Sequence, residues 1–198
     1  MLETIWMIFI GALEEGLVYA IMALGVYITY KILDFPDLSV DGTFPMGAAI
    51  TATLITRGTS PLLTLIISFI IGALAGTLTG IIHVKCKVRD LLAGIIMMTA
   101  LYSINLRITG GKANVPIFTK KTIFDYEFLK GIPEAIQPYT VSIVLFIIVI
   151  IMKLLLDLYL KTKSGYLLRA VGDNDTVVTS LAMDKGYVKI IGLAIANA

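Results

Sequence analysis

Two adjacent carboxylates, Glu14 and Glu15, stand in the middle of an apolar stretch that covers residues 5–29. An ionisable group is costly inside a membrane-crossing stretch, so it usually faces a bundle interior or a wet cavity and marks a path for ions or polar solutes. Tyr19 follows Glu15 by one helical turn, which brings its phenol within hydrogen-bonding reach of the carboxylate. The alternative is that both carboxylates lie near the outer headgroups, and the sequence favours neither interpretation.

A second polar group precedes a short apolar run at residues 43–56, which holds Pro45 and Gly47 near its start. The run is shorter than the about 20 residues that a spanning helix needs, so we expect a broken or re-entrant helix. Interrupted helices free backbone groups at depth, where transport proteins bind polar groups of a solute. Asp41 and Gly42 are therefore candidates for the wall of a solute pathway. Capping of the half-helix by Asp41 is compatible with that role.

A third set of polar side chains lies in the apolar stretch 91–108, for which Asp90 is the expected N-cap. Met98, Tyr102 and Asn105 follow one another at helical spacing and therefore share one face. A helix with such a face suits either a pathway wall or a contact with another helix. The alternative role for Asn105 is a hydrogen bond between helices.

Residues 161–185 form a polar, amphipathic segment between two apolar runs. We expect a short helix, a turn at residues 172–174, and a second helix over residues 176–183 capped by Asp173, Asn174 or Asp175. Two short helices held at a membrane face suit docking into the groove of a partner protein. An amphipathic segment that lies on the lipid surface is the alternative.

Residue types that would support catalysis do not occur in the required patterns. Gly110-Gly111-Lys112 lacks the first glycine and the hydroxyl residue of a phosphate-binding loop, so we expect no ATP hydrolysis by this chain. His83 is the sole histidine and Cys86 the sole cysteine, so we expect no catalytic triad, no metal site and no cofactor. The net charge of +2 gives no basic footprint for nucleic acid.

Composition identifies the elements that must position these residues. Hydrophobic residues make up 58% of the 198-residue chain, above the roughly 45–50% of soluble domains. We expect an all-α, polytopic transmembrane helix bundle that forms one domain over residues 1–198. Its expected spans are residues 5–29, 62–82, 91–108 and 139–160, with 43–56 short or broken and 186–198 incomplete. A helix that stops within the bilayer leaves carbonyl groups unsatisfied, so we expect a chain truncated at its C-terminus.

Small residues and basic residues add packing and orientation to this bundle. Gly72, Gly76 and Gly80 recur at four-residue intervals and predict the close approach of another helix. Lysine and arginine follow two of the expected spans, at residues 85–89 and 161–169, which places both segments in the cytosol. The N-terminus and the loop at residues 109–138 are then expected outside.

Several of these segments resemble one known family. Residues 16–30 (Gly16-x-x-x-Ala20-x-x-Ala23-Leu24-Gly25-x-x-Ile28-x-Tyr30) and 38–42 (Leu38-Ser39-x-x-Gly42) resemble the permeases of bacterial ABC importers for branched-chain amino acids and simple sugars. Residues 32–45 and 90–107 resemble a narrower subgroup, which comprises uncharacterised permeases and permeases for aromatic amino acids (tryptophan or tyrosine). Residues 168–174 are similar to the family's cytosolic coupling segment.

The resemblance implies a permease dimer in the bacterial plasma membrane, two cytosolic ATP-binding subunits and an extracellular solute-binding lipoprotein. It implies a transport subunit and not an enzyme, with an amino acid, aromatic favoured, as the solute. It also implies contact with the ATP-binding subunits through Gly165, Leu168, Arg169, Ala170, Gly172, Asp173 and Asn174, and a solute pathway along Glu15, Asp41, Gly42, Met98, Tyr102 and Asn105.

Other functions remain open at this stage. The same ABC mechanism would serve a nucleoside or a sugar. A stand-alone channel or secondary transporter would use Glu14 or Glu15 as its ion site. A non-transporting assembly subunit would tolerate substitution of Asp41 and Asn105. Members of the family continue through further spans after the coupling segment.

Overall fold

The computed structural model describes residues 2–112, 114–118, 120–125, 137–180 and 183–198, and the regular structure in these ranges is helical throughout. Four helices are long and apolar enough to cross a membrane, at Thr4–Ile32, Pro61–Val84, Asp90–Ile108 and Thr140–Leu160. The all-α, polytopic transmembrane bundle expected from the sequence is thereby confirmed. Part of the loop at 109–138 and residues 181–182 lie outside the described residues, as do the expectations that fall on them.

The helices follow one another along the chain with the bounds α1 (Leu2–Val26), α2 (Val40–Thr56), α3 (Pro61–Val84), α4 (Asp90–Ile108), α5 (Thr140–Leu160), α6 (Lys163–Asp173), α7 (Asp175–Ser180) and α8 (Lys185–Ala196). A π-helical segment, Tyr27–Ile32, extends α1, and short 3₁₀ turns occur at Ile123–Asp125 and Gln137–Tyr139. The bounds differ from the expected spans by a few residues, because helix ends are fixed by hydrogen bonds and not by hydropathy.

The start of α2 differs from the expectation for this part of the chain. Pro45 lies inside a continuous helix, and the irregular backbone precedes Val40 instead of Thr43. Ser39 occupies the N-cap position, so Asp41 does not cap α2 but lies in its first turn, where the helix dipole favours a carboxylate. Asp90 likewise is the first residue of α4 and not its cap.

The irregular segment leads into the bundle from the end of α3 and the start of α4, where the Phe35 ring meets His83 and Leu38 meets Gly94. A Cβ built on Gly42 would lie 2.9 Å from Leu101 Cβ, so the first turn of α2 is level with the middle of α4. Leu101 follows the start of α4 at Asp90 by about 16 Å of helical rise. Irregular backbone beside membrane helices is tolerated where protein covers it, and Leu33, Phe35 and Ser39 are all almost fully buried.

The glycine stripe of α3 packs against α8. A Cβ on Gly80 would lie 2.9 Å from Ile190 Cα, and Cβ atoms on Gly76 and Gly72 would overlap the carbonyl oxygens of Leu193 and Asn197. The two helices run antiparallel, because residue numbers fall along α3 from Gly80 to Gly72 as the contacted residue numbers rise along α8 from Ile190 to Asn197. Glycine is thus required for the distance between these two backbones.

Two buried clusters hold the bundle together. One joins the π-helical segment to α6 and α8 through Ile32, Leu33, Leu168 and Leu193, and the other joins α2, α3 and α4 through Met46, Ile50, Ala75, Met97 and Leu101. In the most hydrophobic part of α5, only 11% of the residues are buried by the described protein. Apolar helices with so little protein cover require lipid around them.

Candidate functional site

A cavity of about 770 Å³ opens between α2 and α4. Gly42 lets the two helices approach closely, since a Cβ there would also lie 3.2 Å from Met98 Cα. Beyond this crossing point the α2 side is lined by small residues, which leaves the space unfilled. The wall consists of Asp41, Gly42, Pro45, Ala48, Ala49 and Ala52 from α2, Met98, Thr99, Tyr102, Asn105 and Leu106 from α4, and Thr109, Lys112, Asn114 and Val115 beyond it.

Five of the six residues expected along a pathway therefore line one cavity. Asp41, Gly42, Met98, Tyr102 and Asn105 are brought together by two helices that are far apart in sequence but run in the same direction. Thr99, Lys112 and Asn114 also line it, and the last two were missed. The sequence carries a signal for Thr99, which stands next to Met98 on a neighbouring strip of α4, but none for the two residues in the loop.

Asn105 makes a hydrogen bond between helices, which is the alternative role that the sequence offered for it, and leaves one acceptor unpaired among the described residues. Its Nδ2 donates a hydrogen bond to the Gly42 carbonyl oxygen at 3.1 Å, which ties α4 to the first turn of α2. Its Oδ1 is buried and has no hydrogen-bond partner in the described part of the chain. An unsatisfied buried acceptor costs about 1–3 kcal/mol, and a donor that reached it would recover that energy.

Pro45 leaves a second acceptor without its helical donor. Because proline has no N–H group, the carbonyl of Asp41 lacks the hydrogen bond that residue i+4 normally supplies. This carbonyl belongs to the same turn as Gly42, at the edge of the cavity. The start of α2 therefore has a carbonyl group that is available to accept a hydrogen bond from another group.

Charge and aromatic character complete the arrangement. Asp41 supplies a carboxylate from α2, and Lys112 supplies an ammonium group from the chain beyond α4. Tyr102 is 66% exposed and presents its ring to the open space. A wall with both charges, an orphaned acceptor and a mainly apolar remainder suits a zwitterionic solute with an apolar or aromatic side chain.

Glu15, the sixth of the expected pathway residues, lies on an exposed face of α1 and does not line this cavity. The expected bond between Glu15 and Tyr19 is wrong, since the Tyr19 ring stacks on Phe44 with centroids 5.7 Å apart. Glu14 instead accepts a hydrogen bond of 2.8 Å from Ser142 Oγ of α5. Pairing with a hydroxyl of a neighbouring helix makes Glu14 a packing residue in this structure.

The coupling segment divides into a buried and an exposed side. Thr162 caps α6 by accepting a hydrogen bond from the Gly165 amide at 3.3 Å. Leu168 is fully buried, and a Cβ on Gly172 would overlap the Ile32 carbonyl, so this side fixes α6 to the bundle. Arg169, Asp173 and Asn174 are exposed, and Ala170 is half-buried.

The second helix of this segment begins one residue before the expected Thr176, and the described residues follow it as far as Ser180. α7 covers Asp175–Ser180, and Asn174 Oδ1 accepts a hydrogen bond from the Thr176 amide at 3.1 Å, as expected of a residue before a helix. A smaller, polar cavity of about 290 Å³ lies where α6 meets the π-helical segment and α8, and the sequence did not indicate it. Asp34, Asp173 and Lys189 line this second cavity.

Comparison with known proteins identifies the family. The family model described as "Branched-chain amino acid transport system / permease component" matches residues 8–198. The chain belongs to this permease family. The family resemblance expected from the sequence is thereby confirmed, and the apolar helices are those of a membrane transport protein.

Curated relatives of this permease cover a range of solutes. It is 47% identical over 188 residues to a "Tyrosine transport system permease protein" of Clostridioides difficile (strain R20291), covering 95% of this chain and 60% of the relative. It is 33% identical over 193 residues to the "Uncharacterized protein RP368" of Rickettsia prowazekii (strain Madrid E), covering 96% of this chain and 64% of the relative. It is 25% identical over 195 residues to the "Ribose import permease protein RbsC" of Haemophilus influenzae (strain ATCC 51907 / DSM 11121 / KW20 / Rd), covering 95% of this chain and 56% of the relative.

The permease chain thus spans about three fifths of the length of these relatives. No solved structure matches it.

Proposed function

We propose that this chain is the membrane-spanning permease subunit of an ATP-binding-cassette importer that moves an amino acid, aromatic favoured, into the cell. The family match over residues 8–198 supports a transport role, and the relative named for tyrosine transport supports the choice of solute. The lower identity to a ribose permease makes a sugar the weaker candidate.

The observation that carries the proposal is the cavity between α2 and α4. A zwitterionic amino acid has an ammonium group that would meet Asp41, the Asp41 carbonyl and the orphaned Asn105 Oδ1. Its carboxylate would meet Lys112, and an aromatic side chain would lie against Tyr102 and the small residues of α2. Each of these contacts pairs a group of the solute with a group that the protein alone leaves unpaired or exposed.

The partners follow from the surface of α6. Its exposed side would bind a cytosolic ATP-binding subunit, while its buried side transmits force to the bundle. An extracellular solute-binding lipoprotein would deliver the amino acid to the outer end of the cavity. The permease would work as a dimer with its N-terminus outside, and ATP hydrolysis would take place on the partner chain.

Transport then requires two arrangements of the bundle that differ in affinity for the solute. ATP-driven closure of the ATP-binding subunits would move α6 and convert an outward-facing cavity into an inward-facing one, a rigid-body change. The permease contributes geometry and no covalent chemistry to this cycle.

The test is uptake by the full-length permease, reconstituted in vesicles with its ATP-binding and solute-binding partners. We expect ATP-dependent uptake of labelled tyrosine or tryptophan in preference to leucine, ribose and a nucleoside. Asn105→Leu keeps the side-chain size but removes both polar atoms, and it should lower uptake at least tenfold. Ser103→Ala is the matched control, because Ser103 lies on the same helix but not in the cavity wall.

Two results would overturn the proposal. One is uptake that needs a proton gradient and no ATP-binding subunit, which would make the chain a secondary transporter. The other is equal loss of uptake in Asn105→Leu and Ser103→Ala, which would remove the cavity from the pathway.

A further inference from the structure

A buried hydrogen-bond network joins the C-terminal end of α8 to the segment that precedes α2. Asn197 Nδ2 donates to Asp37 Oδ2 at 2.8 Å, and Asn197 Oδ1 accepts from Thr43 Oγ1 at 2.8 Å and from Ser39 Oγ at 3.3 Å. Asp37 Oδ1 accepts in addition from the Ser39 amide at 2.8 Å. All four residues are at most 8% exposed, so these bonds replace water entirely.

The network lies where its loss would be most costly. In the segment Leu33–Ser39, the amides of Leu33 and Phe35 donate to the carbonyl oxygens of Ile28 and Thr29 at 3.0 and 2.9 Å, and the Ser39 amide donates to the Asp37 carboxylate. The single side chain of Asn197 donates a hydrogen bond to Asp37 in this segment and accepts one from Thr43 in α2. Because every polar atom involved has a partner here, the first turn of α2 is held in one position relative to α8.

The C-terminal half of α8 also contacts the coupling segment. A Cβ on Gly192 would lie 2.6 Å from Leu168 Cδ1 and 3.2 Å from Leu33 Cδ2, so α6 presses directly on α8. Asn197 lies five residues beyond Gly192, about 7.5 Å along the same rigid helix. A displacement of α6 at the Gly192 contact is therefore carried to Asn197 without an intervening loop.

We propose that Asn197 is a positioning residue that transmits the movement of α6, through the network with Asp37, Ser39 and Thr43, to the wall of the solute cavity. Thr43 stands next to Gly42, which lines the cavity and accepts the hydrogen bond from Asn105. When α8 moves, the first turn of α2 moves with it, and the acceptor groups offered to the solute change. This inference rests on the proposed importer function. It identifies the contacts through which that importer would couple ATP hydrolysis to transport.

Thr43→Val tests the proposal with the smallest change, because it removes one hydroxyl and almost no volume. Its matched control is Thr51→Val, since the Thr51 hydroxyl makes an equally short 2.8 Å hydrogen bond to Ser68 of α3 but does not belong to the network of Asn197. The readout is the number of solute molecules imported per ATP hydrolysed by the full-length permease with its partners. We expect this ratio to fall about fivefold or more in Thr43→Val and to stay unchanged in Thr51→Val.

A reciprocal exchange separates coupling from folding. Asn197→Asp places a second carboxylate against Asp37 in a buried site, and it should abolish solute-stimulated ATP hydrolysis or the folded complex. Combining it with Asp37→Asn restores a donor opposite an acceptor, because the new amide at position 37 can donate to the new carboxylate at position 197. The double variant should recover at least half of the wild-type transport per ATP.

The outcomes are distinct. A fall confined to Thr43→Val, together with rescue by the exchange, supports the proposal. Equal ratios of transport to ATP hydrolysis in Thr43→Val and Thr51→Val overturn the proposal for Asn197 and leave the importer function intact. The same conclusion follows if the exchange restores folding but not transport per ATP. A wild-type complex that shows no solute-stimulated ATP hydrolysis overturns the proposed function itself.

Discussion

The contact between α3 and α8 makes a quantitative prediction for Gly76. In Gly76→Ala, the added methyl group would overlap the Leu193 carbonyl oxygen and would lie 2.9 Å from Asn197 Cβ. The obstacle is mainly backbone, so the two helices must separate. Overpacking of this kind lowers the free energy of unfolding by about 1–3 kcal/mol.

A control glycine isolates this effect from helix propensity. Gly47→Ala adds the same methyl group inside α2, and nothing lies within 4 Å of the position it would take. Replacing a helical glycine by alanine at an unobstructed position stabilises by roughly 0.5–1 kcal/mol. The same gain applies to Gly76→Ala, so its net effect should be a loss of about 1–2 kcal/mol.

Thermal unfolding of the purified permease, or its unfolding by denaturing detergent, measures both variants under one condition. We expect the free energy of unfolding to differ by about 2 kcal/mol between them, a factor of roughly 30 in the folded-to-unfolded ratio. Gly76→Ala with the stability of Gly47→Ala would contradict the close contact between α3 and α8. It would also remove the basis for placing Asn197 beside α2.

Three other substitutions test separate contacts. Gly94→Ala would bring a methyl group to 2.7 Å from the Leu38 amide nitrogen, so thermal unfolding should show a loss of about 1–3 kcal/mol, and an unchanged midpoint would argue against this packing. Ser142→Ala removes the donor to Glu14, and unfolding in detergent should show a loss of about 0.6–1.7 kcal/mol, whereas a gain would place Glu14 in water. Arg169→Ala changes an exposed side chain and should alter stability by less than about 0.5 kcal/mol, yet weaken co-purification of the ATP-binding subunit. Retention of that subunit at the wild-type level would exclude Arg169 from the docking surface.

Hydropathy was sufficient for the long spans, because about 20 apolar residues in succession have few alternatives to a membrane helix. It was insufficient for α2, whose start depends on groups that are distant in sequence. Asp37 and Asn197 are 160 residues apart, and no local pattern indicates that they meet. The helical spacing of Met98, Tyr102 and Asn105 did predict a shared face, since that spacing is a property of one helix alone.

Glu15 lies apart from the other expected pathway residues for a related reason. A carboxylate within an apolar stretch predicts a polar neighbour, but the sequence does not say which of two adjacent glutamates turns inward. The structure gives that neighbour to Glu14, through Ser142 of α5, and leaves Glu15 outside the cavity. Lys112 and Asn114 were missed because loop residues have no periodicity from which a direction can be inferred.

The pairing of α3 with α8 also has a consequence for biogenesis. The ribosome completes the glycine-bearing surface of α3 roughly a hundred residues before it makes the helix that covers it, a delay on the order of ten seconds. During that interval the surface faces lipid or the insertion machinery, and no other described helix is placed to cover it. Nascent chains halted before α8 should therefore be captured by membrane chaperones or degraded, while chains halted after it should resist proteolysis.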